Sequence, residues 1–136
     1  MSKIKRFMKM KVLSLLACAL FSSVSLAQEM NEKNYVAMDL QARQATLEGV
    51  RDRLTLLELS ADLSTQFEQD SQTQQAVEAI YTDSGMTSAQ AITWATRNQQ
   101  AIARWLADHP ELQTEYDRIA RELDEVSTQI QALVNQ

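Results

Sequence analysis

From residue 28 onward the chain contains two glycines, Gly49 and Gly85, and a single proline, Pro110. Hairpins and the tight turns of sheet proteins draw on glycine, proline and Asn-Gly pairs, so a stretch this poor in them leaves little room for strands. Apolar residues recur instead at three- and four-residue steps, the spacing of one helix face. The expectation is an all-α, up-down helical bundle, with a long N-terminal and a long C-terminal helix packed antiparallel and two shorter helices between them.

The first helix is expected from about Asn34 to Glu68, capped by Asn31 or Asn34. Val36, Leu40, Leu47, Val50, Leu54, Leu57 and Ala61 form its stripe, which Arg43 interrupts once. Gly49 inside a helix costs about 1 kcal/mol relative to alanine and points to a close helix approach or a bend. A second helix, about Thr73 to Tyr81, is expected behind a capping box of Ser71 and Gln74, with Gly85 ending the segment in the left-handed region. Thr87 and Gln90 form another box and open a third helix, about Ser88 to Ala107, which Asp108-His109-Pro110 ends.

The fourth helix starts at Pro110, whose missing N–H is no loss in a first turn. It carries the cleanest pattern: Leu112, Tyr116, Ile119, Leu123, Val126, Ile130 and Leu133 step four, three, four, three, a coiled-coil-like seam. Pairs at i,i+4, Asp117 with Arg121, Arg118 with Glu122 and Arg121 with Glu125, read as a solvated outer face.

The N-terminus is of a different kind. Five lysines and arginines precede an apolar run from Val12 to Phe21, which leads to Ser25-Leu26-Ala27, a small-x-small cleavage site. Residues 1–27 therefore read as a signal peptide cleaved between Ala27 and Gln28, leaving residues 28–136 as one helical domain in the periplasm or outside the cell. The run is too short for a membrane span. Leu15-Leu16-Ala17-Cys18 loosely resembles a lipobox, so lipidation of Cys18 is the competing form of processing.

Cleavage would leave 8 Lys and Arg against 18 Asp and Glu, a net charge of −10. A polyanion is repelled by such a surface, so nucleic acid is not an expected partner. Cys18 is the only cysteine and His109 the only histidine, so no clustered ligand set of the zinc type can be written, and no metal or cofactor is expected. Gly-rich phosphate loops are missing. His109 reads as a helix-junction residue. Trp94 and Trp105 fall on nearly one helical face with Asn98 between them, either filling the core or reading a group on a partner.

Two resemblances add to this. Met86-Thr87-Ser88-Ala89-Gln90 resembles the Leu-Thr-x-x-Gln signature of Spy-type periplasmic chaperones, which implies a chaperone-like role, although those proteins are basic cradles. The long first helix, the short second and Gly85-Met86-Thr87 opening a third resemble the layout of the all-helical chorismate mutases. That resemblance implies converging cations for a dianionic substrate, which Arg43, Arg51 and Arg97 would have to supply in the absence of a mid-chain lysine.

The functional expectation is an exported protein-binding or accessory module that is not an enzyme, its partner another protein. The alternatives are a chaperone-like or inhibitor (immunity) protein and, second, a mutase-type enzyme. A homodimer is also expected. The first helix gains a second apolar face at Leu56, Leu59, Leu63 and Phe67, which the middle helices should cover, leaving a two-helix hairpin at the other end. Met38, Leu40, Leu47, Ile130 and Leu133 would lie in or beside that contact.

Overall fold

The computed structural model describes residues 29–136; the expected signal peptide, its cleavage point and Cys18 lie outside them. Five helices follow one another: α1 (Glu32–Glu58), α2 (Leu63–Asp83), α3 (Ser88–Arg97), α4 (Gln99–Asp108) and α5 (Pro110–Val134). Among the described residues there is no strand, and no helix is long and apolar enough to cross a membrane.

The local signals act where the sequence places them. The Asn31 side chain accepts from the Asn34 N–H at 2.9 Å and starts α1. Thr87 and Gln90 form the full reciprocal box, at 3.1 and 2.9 Å. Gly85 adopts φ 78° after α2, and Pro110 opens α5.

Two breaks fall elsewhere than expected. The long first helix stops at Glu58, where Ser60 takes φ 54°, and Asp62 caps α2 by accepting from the Thr65 N–H at 2.7 Å. Ser71 and Gln74 therefore lie inside α2 and form no box. The third helix divides at Asn98 (φ −117°, ψ 19°), giving two helices of 10 residues each.

The Asn98 break reverses a topological expectation. α2 returns antiparallel to α1: Arg53 pairs with Asp70, Gln69 reaches Asp52, and Gly49 faces Thr73. α3 and α4 are too short to run back along the bundle, and they turn at the end where α1 begins. α5 consequently starts at that end. Its contacts climb in step with α1, Tyr116 to Asp39, Arg118 to Gln44 and Glu122 to Arg51, so the two long helices run parallel and not antiparallel.

α1 is the middle helix, between α2 and α5. The core is narrow: Val36, Met38, Ala42 and Leu47 of α1 with Ala91, Ile119 and Val126. Leu40, Val50, Leu54, Leu123 and Ile130 pack around Leu47, Ile119 and Val126. Every residue of the α5 seam is buried or half-buried, as its period requires. The same face draws in two of the charged residues read as solvated. Arg118 donates to Glu115 and Glu122 at 3.0 and 3.1 Å and to Gln44 of α1 at 2.9 Å, and Glu122 also takes Arg51.

α2 has no buried residue. Leu59, Leu63 and Phe67 are 73, 68 and 68% exposed, so the second apolar face is not covered by the middle helices. The turn at Ser60 swings it outward.

Candidate functional site

The chain has three tyrosines, and the fold gathers all of them around one carboxylate. Asp39 sits on the inward face of α1, 8% exposed. Its Oδ2 accepts from Arg43 Nε, one turn on, and from the Tyr116 hydroxyl of α5, each at 2.8 Å. The Arg43 guanidinium carbon lies 5.2 Å from the centre of the Tyr116 ring, within cation–π range. Tyr35, one turn before Asp39, stacks on Trp94 of α3 with 5.4 Å between ring centres. Tyr81 approaches from the end of α2.

The electrostatics follow from this packing. Burial, reinforced by the Asp39 charge, pushes the Tyr35 phenol from 10 up to about 12. The same two causes push Tyr116 further and also raise Tyr81. All three therefore stay neutral near neutral pH, and Tyr116 donates its hydroxyl proton to Asp39. Burial opposes the Arg43 charge, and the hydrogen bond to Asp39 overrides it, holding the guanidinium above its ordinary value.

Two grooves meet at this cluster. The larger, about 520 Å³, runs between α1, α3, α4 and α5. Ile92, Ala95, Ile102, Ala103, Leu106 and Ala120 give it an apolar lining, shared with Tyr35, Asp39, Arg43 and Tyr116 and with the polar Thr96, Gln99, Gln113 and Asp117. The smaller, about 280 Å³, passes toward α2 between Val77, Tyr81 and Ala91, and it shares Tyr35, Asp39, Arg43 and Ile92 with the first. Volumes of this size suit a small ligand or a few side chains. Among the described residues no group of three or more histidine, cysteine or acidic side chains is placed to hold a metal ion.

The residues singled out in the sequence are distributed differently. Trp94 leans on Tyr35, while Trp105 stacks on His109 with ring centres 3.9 Å apart. Asn98 ends α3 and donates to the Trp94 carbonyl at 2.7 Å, not to or from an indole. The three do not form one face, because the helix that would align them breaks at Asn98. Among the described residues the buried Trp105 Nε1 has no partner. His109 bonds the Trp105 carbonyl at 2.7 Å through Nδ1, which must therefore carry the proton; it is the junction residue between α4 and α5.

Met38 and Leu47 lie inside the chain's own core. Ile130 is fourteen residues past Tyr116, about 21 Å along α5, whereas Met38 neighbours Asp39. Parallel helices thus put Met38 and Leu40 toward one end, and Ile130 and Leu133 at the other. Arg43 lines the groove, Arg51 is engaged with Glu122, and Arg97 lines separate clefts beside α3 and α4, so the three do not share a cavity.

Asp39 and Tyr35 were missed as site residues. The available signal was Arg43 breaking an apolar stripe one turn after an aspartate, an i,i+4 pair on the inward side of a helix. Comparison with protein-family models, with curated proteins and with solved structures finds no match for the chain.

Proposed function

We propose that the chain works after export as a protein-binding module, and that the groove between α1, α3, α4 and α5 receives an apolar segment of its partner. The observation that carries this reading is the groove itself: an apolar lining beside a single anchored ion pair, with Ile92 of that lining left 65% exposed. A partner side chain seated in the groove would bury Ile92 together with the rest of the apolar lining. Affinity capture from periplasmic extract with residues 28–136 tests the reading. One partner should be retained by the wild type and lost by Ile92→Asp at unchanged helicity; identical capture by both would overturn it.

Export rests on the charge and apolar order of residues 1–27. A periplasmic protein whose intact mass begins at Gln28 supports it, and a mass retaining those residues overturns it.

The second reading is chaperone-like or inhibitory binding, or pairing of two copies, through the opposite end. Exposed Leu59, Leu63, Phe67 and Val134 favour it. Light scattering across micromolar concentrations tests the pairing, which doubles the monomer mass, and suppression of aggregation of an unfolded client protein tests the chaperone-like action. The mutase-type alternative requires a cationic cavity, and the separation of Arg43, Arg51 and Arg97 lends it no support.

A further inference from the structure

Arg43 is held on two sides and open on a third. Its Nε is bound to Asp39 at 2.8 Å and its guanidinium carbon lies 5.2 Å from the centre of the Tyr116 ring, while its two Nη nitrogens find no partner among the described residues. The side chain is 52% exposed and borders both grooves. A guanidinium fixed along one edge presents its other nitrogens in a fork that matches a carboxylate and has lost little freedom in doing so. Tyr35 and Tyr81 bring two further hydroxyls to the same junction. Donors thus outnumber acceptors where the grooves meet: Asp39 spends Oδ2 on two bonds and keeps Oδ1 open, against two Arg43 nitrogens and two tyrosine hydroxyls.

The apolar side chains that α3 and α4 contribute, Ile92, Ala95, Ile102, Ala103 and Leu106, line the same groove as Arg43. A ligand that satisfies both parts has a carboxylate at one end and apolar groups directly behind it. Taken with the binding reading above, on which this rests, we infer that the groove captures the C-terminal carboxylate of a partner chain that ends in apolar residues, Arg43 holding the carboxylate and Ile102 and Leu106 the last side chains. Charges beyond about 8 Å are screened at physiological salt, but within the groove Asp39 and Asp117 outweigh Arg43 by one, so the ligand's carboxylate must be held by direct, charge-assisted bonds to the open Arg43 nitrogens.

The experiment compares three probes on residues 28–136, followed by the fluorescence of Trp94 and Trp105 and by calorimetry. They are an acetylated alanine-leucine-phenylalanine tripeptide with a free C-terminus, the same peptide as its C-terminal amide, and 4-phenylbutyrate. The free acid should bind about tenfold or more tightly than the amide, as a charge-assisted bond to Arg43 requires. Arg43→Gln should abolish that preference and Arg43→Lys restore part of it, which a merely structural arginine would not do. Equal binding of acid and amide, or no binding by either, overturns the inference. If 4-phenylbutyrate matches the free peptide, the ligand is a small amphipathic carboxylate and the chain-end assignment fails. Loss of the captured partner on Ile92→Asp alongside any of these failures leaves the binding reading standing without the carboxylate.

Discussion

The Tyr116 hydroxyl donates to the Asp39 carboxylate at 2.8 Å across 77 positions of sequence, and in doing so it ties the first turns of α5 to those of α1. Removing the donor leaves the aromatic ring in place and deprives a nearly buried charge of one of its two partners. Tyr116→Phe should lower stability by about 1.5 to 3 kcal/mol, the usual worth of a hydrogen bond to a charged group, measured by urea unfolding. A loss within error of zero would mean that water or Arg43 replaces the bond in full.

The tyrosine cluster makes stability depend on alkaline pH. Folding raises the Tyr35 phenol from 10 to about 12 and raises Tyr81 and Tyr116 as well. Between these limits the folded chain holds protons that the unfolded chain has released, so the contribution is complete below about pH 10 and is lost as pH rises toward 12. Urea midpoints should fall across that window, and less steeply in Tyr35→Phe.

Gly49 lies against α2. A Cβ at this position would stand 2.7 Å from the Thr73 Cβ and overlap the rest of that side chain. Gly49→Ala should therefore destabilise, the overpacking of about 1 to 3 kcal/mol outweighing the roughly 1 kcal/mol that alanine gains as a helix former. In a Thr73→Gly background, which removes that Cβ as well, the same substitution should become neutral or stabilising. Thermal unfolding of the four variants of this cycle measures the coupling.

Ile119 is 2% exposed at the centre of the α5 seam, and Val134 is 67% exposed at its end. Ile119→Ala should cost about 2 to 5 kcal/mol. Val134→Ala should stay within about 0.5 kcal/mol in dilute protein. A larger loss at Val134 that grows with protein concentration would identify this end as a self-association surface.

The features that could be read along the chain are those whose causes lie within a turn or two. Asn31, Thr87 and Gln90 cap helices by bonds that span three residues, and the seam from Leu112 to Leu133 reflects the helical period alone. Gly49 was legible as either a close approach or a bend, and the packing of Thr73 against it decides for the approach. The break at Ser60 was not, since a serine at φ 54° carries no compositional mark and Ser71-Gln74 offered a better-looking start that the continuous α2 overrode. Trp94, Asn98 and Trp105 were aligned on a helix that does not continue through Asn98.

By itself, the sequence determined that the described chain is helical, where most helices begin, and which face of α5 turns inward. The direction of α5 beside α1, the convergence of Tyr35, Tyr81 and Tyr116 on Asp39, and the groove they border were decided only by the tertiary structure. The physical reason is one of range. Caps and periodicity are settled by neighbours a few residues away, whereas the meeting of α1 and α5 depends on how many times the chain reverses between them. That number changed when a single residue, Asn98, left the helical region and divided one long helix into two short ones.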